Sequence, residues 1–144
     1  MRPVMRPVRF DVPAEVAFDY LVDPANRAEW QSSLARVEDV THHVGVGQRW
    51  IDVTRAGLRP TMETIGLDRP QRWSERGTWR GISAVLTLTW EPSGAGCEVA
   101  ADMRLDGRGL LRPLTALLTV VSPSAVRADL RNAARILSRR GAPE

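Results

Sequence analysis

The sequence predicts an α+β fold: a curved seven-stranded antiparallel sheet wrapped around a long C-terminal helix, with two short helices between strands 1 and 2. Two observations carry this. Residues 34–107 alternate apolar and polar with period two, and only short turn signals interrupt them; gaps this short join antiparallel neighbours. The last third then changes to an apolar repeat every three or four residues, the period of a helix with one buried face. A chain of 144 residues, 43% hydrophobic and with five Trp, can bury one core, so a single domain spanning 1–144 is expected.

The elements follow in order. Val8, Phe10 and Val12 alternate with Arg9 and Asp11 and read as a half-buried strand. Pro13 opens a helix whose apolar face is Val16, Ala17, Tyr20 and Leu21. Asp23-Pro24 stops it and starts a second, short helix, with Asp23 as N-cap and Pro24 as first residue, carrying Trp30 and ending near Ser33. Six strands are then expected at about 35–43, 47–55, 60–68, 72–79, 82–91 and 97–106. In the clearest of them, Leu86, Leu88 and Trp90 share one face. The closing helix carries Leu110, Leu114, Leu117 and Val121 on one face, with Leu111 and Leu118 beside them. Ser122-Pro123 breaks or kinks it, and Val126, Leu130, Ala133 and Leu137 continue the stripe.

Composition excludes several classes. The single cysteine, Cys97, cannot form an intramolecular disulfide or a cysteine-rich metal site. His42 and His43 are neighbours on an expected strand and point to opposite faces, so no metal site and no cofactor are expected. Every basic residue is Arg, which raises the pI, but the net charge is only +3. Arg127, Arg131, Arg135 and Arg139 form a stripe on the last helix with no interleaved aromatic residue. It reads as a solvated face, and no nucleic-acid partner is expected. No signal peptide and no integral membrane segment is visible, so a cytoplasmic setting is the expectation.

The inward face of the middle strands is where chemistry is expected. If Ile65 and Leu67 face the core, so does Glu63; Trp73, Glu75, Gly77 and Trp79 share that face across the Asp68–Gln71 turn. Trp50 and Asp52 fall on it from the strand before. Three carboxylates among three Trp are costly to bury unless paired, and their pKa values should rise. Glu63, Glu75 and Asp52 are therefore the candidate acid–base residues. Trp50, Trp73, Trp79, Leu86, Leu88, Trp90, Leu114, Leu117, Leu118 and Val121 are the candidate ligand wall. The structural alternative is a sheet end splayed to water, or neutralisation by Arg49, Arg72, Arg76 or Arg80.

The element order, together with VPAEVAFDYLVDPANRAEW, GVGQRW, LDRPQRW and LTWEPSGAGCEV, resembles the helix-grip fold of the SRPBCC superfamily. That superfamily includes START lipid-transfer domains, birch-pollen-allergen-like proteins and polyketide cyclase/dehydrase-like proteins. The resemblance implies a deep cavity between sheet and C-terminal helix that holds an apolar or amphipathic small molecule. It does not imply one activity, because one scaffold hosts many. The leading expectation is a binder of a lipid, isoprenoid or aromatic polyketide, as a monomer or homodimer. A polyketide cyclase or dehydratase using the cavity carboxylates is the first alternative. A regulatory module acting through its surface is the second.

Overall fold

The computed structural model of the protein describes residues 5–107 and 122–141. Seven strands form one antiparallel sheet: β1 Val8–Phe10, β2 Leu34–Glu38, β3 Arg49–Thr54, β4 Thr61–Asp68, β5 Arg72–Trp79, β6 Ile82–Ser93 and β7 Gly96–Gly107. Their spatial order is β1-β7-β6-β5-β4-β3-β2. Hairpins join every sequential pair from β2 to β7. The excursion from β1 to β2 carries α1 (Ala14–Val22), a 3₁₀ turn (Pro24–Asn26) and α2 (Arg27–Trp30), and crosses to the far edge. A final helix, α3 (Pro123–Arg140), follows the sheet. This is the helix-grip architecture. The Leu110–Val121 part of the expected closing helix lies outside the described residues.

Local chemistry explains the boundaries. Asp23 accepts a hydrogen bond from the Ala25 N–H at 3.0 Å, and Ser122 accepts one from the Ala125 N–H at 3.2 Å; both cap the helical turn that follows, with Pro at its start. The second helix is shorter than its sequence suggests, because the chain becomes extended at Gln31. The apolar face of α1 holds at Ala17, Tyr20 and Leu21, which are buried; Val16 is 46% exposed, and Phe18 and Val22 turn inward in its place. Strand β2 ends at Glu38, where Asp39 takes a positive φ of 53° and opens the loop to β3.

The core lies between the concave sheet face and the helices. Phe10, Trp73, Leu88 and Val99 from the sheet meet Phe18 and Leu21 of α1 and Leu130 and Ala133 of α3. Gly96 is needed for β1 to pair with β7, because a Cβ there would stand 2.3 Å from the Phe10 carbonyl oxygen. Polar contacts fix α3 across α2. Asn132 Nδ2 donates to the carbonyls of Glu29 and Trp30, and Asp129 accepts from both the N–H and the hydroxyl of Ser32. At the other end of α3, Arg140 and the Tyr20 hydroxyl both donate to Glu29 Oε1.

One irregularity decides which side chains face inward. Thr64 pairs with Glu75, but the next partner of Ser74 is Gly66, so β4 carries an extra residue at Ile65. Before the bulge, Met62 and Thr64 face the core; after it, Leu67 does, opposite Trp73. Glu63 and Ile65 therefore lie on the outer face, contrary to the uninterrupted alternation expected from sequence. Glu63 stands beside Arg76 in the ladder and pairs with Arg49 at 3.5 Å.

Candidate functional site: a cavity with a buried arginine–carboxylate cluster

A cavity of about 90 Å³ opens between the sheet and the helices. Its apolar wall includes Met62, Trp79, Ile82 and Leu86 from the sheet, Trp30 from α2 and Val126 from α3. Gly77 lies on this wall between Glu75 and Trp79; with no side chain there, the Met62 thioether takes the space, its sulfur 2.9 Å from where a Cβ would stand. One end of the cavity is polar: Arg27, Gln31, Asp52, Glu75 and Asp129 reach it from four elements and the turn after α2.

Arg27 organises that end. It is three residues before Trp30, so both fall on the inward side of α2, and both are 2% exposed. Its Nε and Nη2 donate to the two oxygens of Asp52 at 3.0 and 2.7 Å. Its Nη1 donates to Glu75 Oε2 at 2.8 Å. With the Gln31 amide turned to present its oxygen, Nη1 and Nη2 also donate to Gln31 at 3.2 and 3.1 Å. All five guanidinium N–H groups are then used. The guanidinium also sits 5.0 Å from the Trp50 ring centre, and the Trp50 indole N–H donates to Asp52 Oδ1 at 2.9 Å.

The charges do not balance. One guanidinium faces two buried carboxylates, and Asp52 holds it through two parallel bonds plus the Trp50 N–H. Glu75 is left with one bond. Burial pushes Glu75 up to about 7; Arg27 opposes this and the Asp52 charge reinforces it. Burial alone would weaken the Arg27 charge, but Asp52 and Glu75 outweigh it and hold the guanidinium protonated. Asp129, half-buried on the opposite wall, is also raised by burial, partly offset by its bonds from Ser32.

The residues singled out from sequence divide clearly. Asp52 and Glu75 come together on the cavity wall, and Trp79 and Leu86 line it. Glu63 is not among them, for the bulge turns it outward. Trp50, Trp73, Leu88 and Trp90 are packed interior residues rather than wall: Trp73 donates to the Thr64 hydroxyl, and Trp90 meets Phe18 with ring centres 4.6 Å apart. Leu114, Leu117, Leu118 and Val121 lie outside the described residues. Arg27, Gln31 and Asp129 were not identified by parity along the strands. The available signal for Arg27 was its spacing from Trp30. Among the described residues, no group of His, Cys, Asp and Glu is arranged to hold a metal ion, and no helix is long and apolar enough to cross a membrane.

Solved structures with the same fold include a Mesorhizobium loti protein, with TM-score 0.74, 16% identity, and 99% of this chain and 100% of that one covered. The di-domain aromatase/cyclase StfQ of the steffimycin biosynthetic pathway aligns with TM-score 0.72 and 14% identity over 94% of this chain and 50% of that one. A Thalictrum norcoclaurine synthase mutant, solved with a transition-state analogue, aligns with TM-score 0.72 and 9% identity over 99% and 98%. At such identities the likeness is one of fold. No curated protein sequence matches the chain. The family described as polyketide cyclase / dehydrase and lipid transport matches residues 1–141, and the chain belongs to that family.

Proposed function

We propose that the protein binds a small molecule with an apolar body and a polar end, held in the cavity between sheet and C-terminal helix. The supporting observation is the division of the cavity wall: apolar over most of its lining, with Glu75 and its partners gathered at one end. Such a wall gains from burying an apolar body and orients it through few polar contacts. Family membership supports the same class of ligand. The test is native mass spectrometry of the protein purified from its own host, beside a Gly77→Leu variant that fills the cavity. A co-purifying mass in the wild type that the variant loses is expected. Equal retention by both would place the ligand elsewhere and end this reading.

A second reading, a cyclase or dehydratase, is favoured by one observation: Glu75 is a cavity-lining acid poised near neutrality. With Oε2 accepting from Arg27, its proton resides on Oε1. It can pass that proton to a carbonyl oxygen as a carbon–carbon bond forms, and recover one from the carbon that becomes an enol. Asp52 would position it through Arg27. Retained binding with lost turnover in Glu75→Gln is the expected result. Unchanged turnover would remove Glu75 from the chemistry.

A further inference from the structure

We propose that the polar end of the ligand is a protonated amine, received by Glu75 with Asp129 on the facing wall; this rests on the cavity being the binding site. The argument is an inventory of donors and acceptors. Every N–H of Arg27 is already committed, to Asp52, Glu75 and Gln31. A carboxylate or phosphate ligand would have to displace one of those bonds, and no other cationic side chain lines the cavity among the described residues. The acceptors are in surplus. Glu75 is 5% exposed, its Oε2 is taken by Arg27, and its Oε1 has no hydrogen-bond partner among the described residues. Both Ser32 bonds to Asp129 go to Oδ1, and Oδ2 accepts none from the described residues.

Three carboxylates, Asp52, Glu75 and Asp129, thus share the cavity with one spent guanidinium. A cation with N–H donors meets both deficits: it supplies the missing charge and occupies Oε1. The aromatic and aliphatic wall, including Trp79 and Leu86, leaves room for an aryl or alkyl body behind the amine. Binding should also move protons. Burial raises both Glu75 and Asp129, and an ammonium would reverse that, so complex formation near pH 7 releases protons to buffer.

The test is calorimetric titration of the full chain at pH 8 with 4-phenylbutylamine, 4-phenylbutanol and 4-phenylbutyrate, which share one skeleton. The amine is expected to bind ~10-fold or more tightly than the alcohol, with the acid weakest. Glu75→Gln should erase that preference by weakening the amine and sparing the alcohol. Should Glu75→Gln lose its fold by circular dichroism, Asp129→Asn should show the same change in smaller measure. Alcohol binding as tight as the amine overturns the amine and leaves the cavity reading standing. Tighter binding of the acid does the same. An amine preference that survives substitution overturns the assigned carboxylates. Binding of none of the three overturns this inference together with the reading beneath it.

Discussion

Arg27 holds Asp52 through two parallel hydrogen bonds of 3.0 and 2.7 Å, while Glu75 shares only one N–H of the same guanidinium. That inequality, between two acids at similar burial, leaves Glu75 the less compensated of the two, and burial raises its pKa. It also makes Arg27 the residue on which the interior depends most.

Replacing Arg27 by Met would leave Asp52 and Glu75 buried together without a cation. A loss of about 3–5 kcal/mol is expected, measured by urea unfolding at pH 8. The triple replacement Arg27→Met, Asp52→Leu, Glu75→Leu should recover much of it, since an apolar cluster of similar volume has no charge to compensate. A single variant as stable as wild type would show that water reaches the cluster.

Glu75 should make the protein less stable as pH rises. Its folded pKa, about 7, is above its ordinary value of 4.5, so the native state binds the extra proton. Between those limits, deprotonation favours the unfolded chain, and stability declines by about 3 kcal/mol before levelling above pH 7. Urea midpoints from pH 4.5 to 8 report this. Glu75→Gln should flatten that part of the curve, and an unchanged slope would point to another group.

Glu63 offers the contrast. On the outer face and paired with Arg49 at 3.5 Å, it should contribute ~0–1 kcal/mol, so Glu63→Gln should leave stability and ligand binding nearly unchanged. A loss of ligand binding would mean that Glu63 turns inward after all.

Leu130 is 1% exposed at the centre of α3, and Leu130→Ala should cost about 2–5 kcal/mol in chemical unfolding. A cost under ~0.5 kcal/mol would show that α3 does not pack on the sheet through this face.

Most of the fold was legible because its signals are local. Period two from Leu34 to Gly107, glycine-containing turns and Pro after Asp23 and Ser122 each act within a few residues. Trp73, Leu88 and Trp90 point inward as the alternation requires. The site was legible only in part. Asp52 and Glu75 follow the parity of their strands, but Glu63 precedes a bulge that alternation cannot reveal. Arg27 was hidden for a different reason: it is distant in sequence from both partners, by 25 and 48 residues, and only the crossover from β1 to β2 brings it over the sheet.

The extra residue at Ile65 gives β4 two phases in one strand. Deleting it would join the halves in a single phase. With Leu67 anchored on Trp73, Thr64 and Met62 would stay inward and Glu63 outward, so the shortened strand keeps every face it has now. Keeping Ile65 but straightening the strand would instead carry Glu63 into the interior and turn Met62 and Thr64 outward, giving the cavity another unmatched acid and depriving Arg49 of its partner. A single residue that lies outside the cavity thus keeps a whole wall of it in phase.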